Sequence, residues 1–379
     1  MGGRNFLIVA HKGHFFEVFL KNNMALLQEL GYTVYCAGSF AEAQDARAKP
    51  VLEAMGAIAL HIDIQRSPYS WKNVRAYRQL KSLMKRYGFA AVHCHTPTGG
   101  ALGRLAARKF RRVGTKVFYT AHGFHFFKGA PLKNWILYYT VEKLCARWTD
   151  VLITINREDY IRAQRFRAKR VCHVPGVGID TDRFRPLEKN RADVRRELGY
   201  GDSDFVLLSI GELIPRKNHA LVLRALALLN AGGQAADIRY LICGQGALEA
   251  ELKALAEELG IAKMMRFPGY RSDIPELCSC SDLFVFMSLQ EGLPVALMEA
   301  MSCGMPVICS NIRGNADLVH GGISGEVIGN DVSALADAIL RLKRDPERCA
   351  RYGAEAMKAV RRFDLKIVQR MMREIYSDI

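Results

Sequence analysis

The feature of this sequence that most restricts its fold is a regular alternation of short apolar runs with longer amphipathic stretches. Runs of strand length separated by helix-length segments are typical of strand–helix–strand units, and therefore of parallel sheets. The first series of runs occupies residues 6–10, 33–37, 90–93, 116–120 and 151–155. A second series occupies residues 205–210, 240–244, 283–287 and 307–310. The sequence thus predicts an α/β fold with two doubly wound domains.

Chain length and charge distribution agree with two domains. The chain has 379 residues, and one domain typically has roughly 100–200. Residues 1–180 hold 28 Lys and Arg against 11 Asp and Glu, whereas residues 181–379 hold 26 against 27, so the excess of positive charge belongs to the first half. The balance of basic and acidic residues changes near Pro175, and two glycines follow that proline. We therefore place the linker at about 180–187. The predicted domains are residues 1–182 and residues 187–361.

Composition excludes several classes of protein. With 50% hydrophobic and 24% charged residues, the chain can bury large cores, which excludes a disordered or fibrous protein. The ten cysteines are scattered and lack the paired spacing of a structural zinc site, which indicates reduced thiols in a cytoplasmic protein. No apolar segment reaches the roughly 18 residues of a membrane span. The run at 6–10 is too short for a signal peptide, so we expect any membrane contact to be peripheral.

Three basic stretches of the first half could form a cationic surface, at residues 72–86, 104–112 and 162–170. In the first, apolar side chains recur at helical spacing with Lys and Arg between them. One interpretation is an ordinary surface helix that packs an apolar stripe on the sheet. The other is a face that lies on an anionic membrane, into which aromatic and aliphatic residues of 124–137 would insert. Nucleic-acid binding is disfavoured because no binding motif accompanies the charge.

The segment 291–304, EGLPVALMEAMSCG, carries the most chemical information. Pro294 favours the first turn of a helix, and such a start directs free N–H groups and the positive end of the helix dipole toward a bound anion or hydroxyl. The residues concerned are Gly292, Leu293, Pro294 and Val295. Glu291 can accept hydrogen bonds from sugar hydroxyls, and Glu299 from a ribose diol. The alternative is a pair of surface acids, which the apolar neighbours of Glu299 disfavour because a buried acid needs a partner.

These two glutamates, with seven residues between them, resemble the signature of retaining glycosyltransferases of the GT-B fold, specifically glycosyltransferase family 4. The stretch 209–218 is similar to the family's first C-domain strand and its following loop, where a lysine binds the donor diphosphate. That role falls on Lys217. Many members carry an arginine directly after the loop glycine, Gly211, whereas this chain has Glu212, which cannot neutralise phosphate. We therefore assign the second positive charge to Arg216.

Other positions extend the resemblance over nearly the whole chain. Gly244 stands in a stretch similar to the family's second strand-to-helix turn, where glycine permits a close approach of the backbone. Tyr270 and Arg271 stand in a stretch that looks like the loop receiving the nucleotide base. Gly13 corresponds to the family's N-terminal glycine loop, although the usual paired glycines are missing. The resemblance implies two facing Rossmann-like domains and a C-terminal helix, at 362–379, that crosses back to the first domain.

Histidines follow two predicted strands of the first half. They are His93, His95, His122 and His125. A metal site is disfavoured because no acidic residue stands near them in the sequence. The resemblance is to the subgroup that builds bacterial capsule and exopolysaccharide repeat units, and it places His122 beside the donor sugar. For His95 and His125, a structural role and a role in the site both remain open. Asn156, after another strand, lies either near the acceptor or in an ordinary turn.

The resemblance implies a retaining, metal-independent hexosyltransferase of polysaccharide synthesis. It would move a sugar from a nucleotide sugar, expected to be UDP-linked, to a hydroxyl of a polyprenyl-pyrophosphate-linked saccharide at the inner face of the plasma membrane. Catalysis would depend on Glu291, His122, Arg216 and Lys217, with no cofactor beside the donor substrate. The protein cations would replace Mg²⁺.

Two other functions remain as alternatives. A UDP-sugar 2-epimerase has the same architecture but needs acid–base carboxylates in the N-terminal domain, where no acidic residue stands between Asp63 and Glu142. A non-enzymatic basic protein that binds membranes or nucleic acid would leave the pair Glu291 and Glu299 unexplained.

Overall fold

The computed structural model describes residues 4–187 and 191–377, and the chain divides into two compact units. Unit 1 is Met1–Val177 with Lys366–Ile379, and unit 2 is Gly178–Leu365. Within the described residues, each unit is built on one sheet in which every strand pair is parallel. The predicted α/β class and the two doubly wound sheets are confirmed.

Seven strands of the described part of unit 1 form its sheet. They are β1 Arg4–Lys12, β2 Tyr32–Ser39, β3 Ile58–His61, β4 Ala91–His95, β5 Lys116–Ala121, β6 Val151–Thr154 and β7 Arg170–His173. Their order in the sheet is β3-β2-β1-β4-β5-β6-β7. The chain thus changes direction of winding between β1 and β4, and in such sheets ligands bind at the carboxyl ends of the strands.

The helices of unit 1 connect these strands. They are α1 His14–Phe19, α2 Lys21–Glu29, α3 Ala43–Ala54, α4 Lys72–Tyr87, α5 Pro97–Ala107, α6 Leu132–Asn134, α7 Thr140–Cys145 and α8 Arg157–Ala163, with shorter turns at Phe110–Val113, Trp135–Tyr139 and Ala146–Trp148. The helix that returns to this unit is Leu365–Ser377, within the predicted 362–379; we label it α17.

The core of unit 1 covers both faces of the sheet. Along β1, Phe6 and Ile8 lie in one buried cluster and Leu7 and Val9 in another, as expected when successive side chains of a strand point to opposite faces. The first cluster includes residues of α1, α2 and α17, and the second includes residues of α4 and α5. This explains why the central strands are continuous apolar runs rather than alternating ones.

Unit 2 repeats the architecture with six strands among its described residues. They are β8 Phe205–Ile210, β9 Ile238–Cys243, β10 Met265–Gly269, β11 Leu283–Phe286, β12 Val307–Ser310 and β13 Glu326–Ile328, in the order β10-β9-β8-β11-β12-β13. The helices are α9 Arg191–Glu197, α10 His219–Ala231, α11 Glu249–Glu258, α12 Ile274–Cys280, α13 Val295–Ser302, α14 Asn315–Leu318, α15 Val332–Lys343 and α16 Pro346–Val360, with short turns at Pro215–Lys217, Ala262–Met264 and Arg361–Phe363.

Three expectations about the surface of unit 1 are wrong. Arg104, counted in a basic surface stretch, is fully buried. Phe124 and Phe126, expected to insert into a membrane, are 2% and 0% exposed because their rings stack on each other in the core. Val74, expected in the buried stripe of α4, is more than half exposed.

The other findings concern thiols and membrane spans. All ten cysteines are free thiols, and eight of them are buried. None of the helices in residues 4–187 and 191–377 is long and apolar enough to cross a membrane.

Candidate functional site

Two cations and one carboxylate meet at the carboxyl edge of the sheet in unit 2. The turn Pro215–Lys217 follows β8, and Glu291 follows the neighbouring strand β11. Arg216 Nη1 and Lys217 Nζ both donate to Oε1 of Glu291, at 2.7 and 2.8 Å. Leu289 N–H also donates to the carbonyl of Arg216 at 2.8 Å, which ties the two loops together. The structure therefore brings together three of the four predicted catalytic residues.

This cluster carries an excess of positive charge. The Glu291 and Lys217 side chains are 9% and 12% exposed, whereas that of Arg216 is 38% exposed. Burial lowers the pKa of Lys217, and the Glu291 carboxylate opposes that shift. Lys217 Nζ also lies 4.7 Å from the centroid of the Phe286 ring, a favourable cation–π contact. The one carboxylate that both cations bind cannot neutralise them, and the further acid that acts on Lys217, Glu212, is exposed to solvent, so the cluster is suited to an anionic ligand.

Glycines allow the loops after β8 and β9 to pack closely against each other and against Lys217. A Cβ on Gly244, which follows β9, would lie 1.8 Å from the carbonyl oxygen of Gly211, which follows β8. Gly211 itself has φ +155°, and a Cβ there would lie 3.2 Å from Cε of Lys217. A side chain at Gly244 would force the two loops apart. The structure thus explains both predicted glycines by close packing around Lys217.

The start of α13 lies in the same loop region as Glu291. Pro294 is the residue that precedes the helix, in extended conformation, and no side chain among the described residues caps the helix. Because proline has no N–H, the free amides of the predicted set are those of Gly292, Leu293 and Val295. A Cβ on Gly314 would lie 2.5 Å from the carbonyl oxygen of Gly292, so the loop after β12 packs directly on this backbone.

Glu299 lies in α13 in a largely apolar setting. Burial raises the pKa of its carboxyl group to about 7, and the charge of Arg183 only partly opposes that rise. Within residues 4–187 and 191–377, no hydrogen bond satisfies this carboxylate. The expected need for a partner is therefore not met by the described part of the protein, which leaves the carboxylate able to accept hydrogen bonds from a ligand.

Tyr270 and Arg271, expected around the nucleotide base, differ in their surroundings. Tyr270 is 75% exposed. Arg271 donates to Asp273 from Nε at 2.8 Å, and its guanidinium lies 3.6 Å from Glu197. The side chain of Arg271 is therefore held by two acids, and a base in this loop would be met by the backbone and by the exposed ring of Tyr270.

The histidine of unit 1 that was expected near the sugar lies at the carboxyl end of β5. His122 Nε2 is 3.0 Å from Nδ1 of His95, which ends β4, and the ring of Phe15 contacts His122 edge-on at 5.1 Å. Burial lowers the pKa of His122 to about 4 and holds the pKa of His95 well below its usual value. Both rings are therefore neutral at pH 7, and one of them donates its proton to the other.

The other two histidines have structural surroundings. His93 is fully buried, with Nδ1 at 2.8 Å from the Tyr376 hydroxyl of α17 and Nε2 at 2.8 Å from the Thr120 hydroxyl. His125 stacks on Tyr138 at a centroid distance of 4.6 Å. In the described part of the chain, no three His, Cys, Asp or Glu side chains are grouped closely enough to hold a metal ion.

Gly13 is explained by packing. It directly precedes α1, and a Cβ there would lie 2.4 Å from the ring of Phe40 and 2.9 Å from the carbonyl oxygen of Asp45. Its φ of −63° lies in the helical region, so the need for glycine comes from close contact and not from backbone conformation. Its predicted part in ligand binding stays a prediction.

Sequence reasoning left the role of Asn156 open, and it missed other residues that shape the site. Asn156 is the N-cap of α8, accepting from Asp159 N–H at 2.8 Å, and Asp159 Oδ2 accepts the N–H of Phe124 at 2.8 Å. This network fixes the loop that contains His122. The spacing of a cap residue and an acid three positions later was a usable signal. Phe15 in α1 and Phe286 at the end of β11 carried no such signal, because an aromatic residue in a helix or a strand is equally typical of a core.

Two family models match the chain. The model for "Glycosyl transferases group 1" matches residues 190–359, and the model for "Glycosyl transferase 4-like domain" matches residues 17–176. The chain is 43% identical over 322 residues to "Putative glycosyltransferase EpsD" of Bacillus subtilis (strain 168), covering 83% of this chain and 84% of that protein. It is 32% identical over 281 residues to the "UDP-Gal:alpha-D-GlcNAc-diphosphoundecaprenol alpha-1,3-galactosyltransferase" of Escherichia coli, covering 72% and 71%.

Solved structures agree in fold. Anabaena HepE, crystallised with UDP and glucose, aligns with a TM-score of 0.80 at 20% identity and covers 99% of this chain and all of that one. The lipopolysaccharide glycosyltransferase WaaG aligns with a TM-score of 0.72 at 18% identity, covering 98% of both chains. At such identities these likenesses show the fold, which is GT-B.

Proposed function

Because the chain belongs to the group 1 family of glycosyltransferases, we propose that it transfers a sugar from a UDP-sugar to a hydroxyl of a lipid-linked saccharide, with retention at the anomeric carbon. Transfer of a sugar is the activity of the family. Our proposal concerns the donor nucleotide, the stereochemistry and the acceptor class. Its main support is the charge cluster in unit 2.

The cluster supports the proposal because its charge fits a leaving diphosphate. Arg216 and Lys217 share one carboxylate oxygen of Glu291, which leaves a net positive charge beside the free amides that precede α13. When the sugar–phosphate bond breaks, negative charge accumulates on the diphosphate, and preorganised donors aimed at that charge lower the barrier most. We propose that these cations replace a divalent metal ion.

We propose that Glu291 has a second role beside the one expected from sequence. Both contacts to its Oε1 come from the cations, so we assign it as the residue that positions Arg216 and Lys217, with a sugar hydroxyl left to its second oxygen. Glu299 would accept from the ribose diol. The donor phosphate oxygen would take the acceptor proton on the same face of the anomeric carbon, and neutral His122 would contact the sugar.

The Escherichia coli relative supports the donor and the acceptor class. Its printed name specifies UDP-Gal and a diphosphoundecaprenol-linked sugar, and it matches this chain over both units. An acceptor on a polyprenyl diphosphate lies in a membrane, so with such an acceptor this chain would work at a membrane surface, for which we propose the cytoplasmic face of the plasma membrane.

Exposed apolar side chains of unit 1 support that contact. Tyr69, Trp71, Leu132 and Ile136 are between 66% and 80% exposed. They belong to two segments, before α4 and after β5, that together line a cavity of about 190 Å³ through Pro68 and Leu137. Exposed lysines stand beside them, at Lys72, Lys128 and Lys133. Exposed apolar side chains with lysines beside them are suited to contact with an anionic bilayer surface.

The test is a transfer assay with matched donors. Purified protein is incubated with UDP-galactose, UDP-glucose and UDP-N-acetylglucosamine, and with GDP-mannose as the control nucleotide, in the presence of a polyprenyl-diphosphate-linked N-acetylglucosamine. We expect one UDP-sugar to yield UDP only when the acceptor is present, with the product linkage in the donor's anomeric configuration by proton NMR. An inverted linkage would overturn retention, transfer only from GDP-mannose would overturn the UDP donor, and acceptor-independent isomerisation of a UDP-sugar would favour the epimerase.

A further inference from the structure

A second cationic pocket lies at the opposite edge of the unit 1 sheet from His122. It has a volume of about 570 Å³ and is lined by Arg108, Lys109, Arg111, Arg112 and Trp148. The first four precede β5, and Trp148 precedes β6. Since β5 and β6 are parallel neighbours, these residues lie where both strands begin, whereas His122 lies where β5 ends. The pocket is therefore separate from His122 and His95 at the other edge of the same sheet.

One wall of this pocket is fixed by an ion pair. Arg111 donates from Nε and Nη2 to both oxygens of Asp150, at 3.0 and 2.7 Å, and from Nη1 to the carbonyl oxygen of Arg147 at 3.1 Å. Asp150 in turn accepts the N–H of Val117 in β5 at 2.9 Å. The guanidinium of Arg111 is thus used internally and holds the pocket's shape.

The other three cations that line the pocket have no acidic partner among the described residues. Arg108, Lys109 and Arg112 are exposed and form no ion pair with any side chain in residues 4–187 or 191–377. The guanidinium of Arg108 lies 5.6 Å from the centroid of the Trp148 ring. Like charges that face one cavity repel each other unless an anion lies between them. Asp150, the acid that holds Arg111, is already bound by that arginine and by Lys169 at 3.0 Å.

We propose that this pocket binds a phosphoryl group of a ligand other than the sugar donor. Arginine presents planar, paired donors that match phosphate oxygens, and the half-buried face of Trp148 offers a flat apolar surface to the part of the ligand beside its phosphate. The volume lies within the range of about 300–1,000 Å³ typical of small-ligand sites. The ligand is either a soluble phosphorylated molecule or a phospholipid headgroup, and it acts away from the sugar-transfer chemistry.

The test compares two variants that remove the same charge. The pocket variant is Arg108→Gln/Lys109→Gln/Arg112→Gln, which keeps Arg111 because that residue holds Asp150. The control variant is Lys21→Gln/Arg47→Gln/Lys49→Gln, at exposed positions of α2 and α3 in the same unit and outside the three basic stretches. Both are made in full-length protein that also carries Lys217→Met, so that phosphate probes do not report on the donor site. Circular dichroism melting checks that each variant is folded.

Two probes separate the sources of the phosphate. Inorganic pyrophosphate, measured by titration calorimetry, reports a soluble ligand, and phosphatidylcholine vesicles with and without phosphatidylglycerol report a headgroup. We expect the pocket variant to lose about tenfold or more in affinity for one of these probes relative to the control variant. A loss for pyrophosphate assigns a soluble ligand, and a loss for phosphatidylglycerol vesicles alone assigns a headgroup. Equal affinities of the two variants for both probes would overturn the proposal.

Discussion

Two buried glutamates, Glu142 in unit 1 and Glu291 in unit 2, are each bound to arginine. They differ in the number of positive charges that surround the carboxylate. Glu142 receives Arg104 Nη2 at 2.7 Å on one oxygen and the Tyr119 hydroxyl at 2.8 Å on the other. Arg104 is fully buried, with its guanidinium 3.7 Å from the centroid of the Tyr119 ring. One positive and one negative charge are thus enclosed together.

At Glu291 the charges are unequal and open to one side. Two cations share a single carboxylate oxygen, Arg216 is 38% exposed, and the backbone of Gly211 packs beside Lys217. The comparison teaches that burial of an ion pair does not by itself mark function. Balanced and enclosed charge stabilises the fold, whereas excess charge at the carboxyl edge of a sheet is available to a ligand.

The largest expected effect is on the stability of unit 1. Replacement of Arg104 with methionine leaves the Glu142 carboxylate buried with the Tyr119 hydroxyl as its one remaining partner, which costs about 3–5 kcal/mol for a broken buried pair. Denaturant unfolding of Arg104→Met should show that loss relative to Arg78→Met, a matched change on the exposed surface of α4. A difference under about 1 kcal/mol would break the comparison.

Lys217→Met should have the opposite effects from Arg104→Met, with little loss of stability and a large loss of sugar-transfer rate. Arg216 still neutralises Glu291, and burial of the lysine charge is itself unfavourable, so we expect the free energy of unfolding to change by less than about 1 kcal/mol. The rate of sugar transfer should fall by about 10²–10³, the effect of removing one donor from a developing anion. Lys253→Met, on the exposed side of α11, is the control for both measurements. Loss of stability without loss of rate would place Lys217 with Arg104 as a structural cation.

The smallest effect concerns pH. The folded protein raises the pKa of Glu299 from 4.5 to about 7, so between these values it holds a proton that the unfolded chain releases. The free energy of unfolding therefore falls as pH rises through this window, and by linkage the fall is on the order of 3 kcal/mol.

Glu299→Gln removes this titration, so the variant should become more stable relative to the native protein at pH 8 than at pH 5. Glu258→Gln, at an exposed position of α11, should not change the pH dependence. Parallel pH profiles of the native protein and Glu299→Gln would show that Glu299 is ionised in a solvated setting, which would sharpen the contrast with Glu142.

The interior of both sheets could be predicted from sequence, and their edges could not. The predicted runs at 205–210 and 307–310 coincide with strands of unit 2. The four strands that the apolar pattern missed are β3, β7, β10 and β13, and these are the outer strands of the two sheets. An outer strand is covered on fewer sides, so it needs no continuous apolar run; β7, for instance, begins at Arg170 and ends at His173.

The residues of the charge cluster in unit 2 could be predicted from sequence, but their contacts with one another could not. Local motifs indicated Lys217, Arg216 and Glu291, yet nothing in the spacing showed that both cations would bind the carboxylate from 74 and 75 residues away. Arg104 was misread for the same reason, because its partner Glu142 is 38 residues distant. Composition records how many charges a stretch contains, whereas burial depends on contacts that only the folded chain defines.

The position of α17 has a consequence for the order of synthesis. Tyr376 contacts Phe6 edge-on at 5.5 Å and accepts a hydrogen bond from Asn23 at 3.1 Å, and Val368, Met372 and Ile375 lie in the same core. A ribosome makes β1 near the beginning and α17 only after all of unit 2. The part of this core that α17 covers therefore stays open while unit 2 is translated and folds, although α1 and α2 can already pack on the same face of the sheet. The unit that is made first is completed last, and a chaperone that shields its open face would have to remain until α17 emerges.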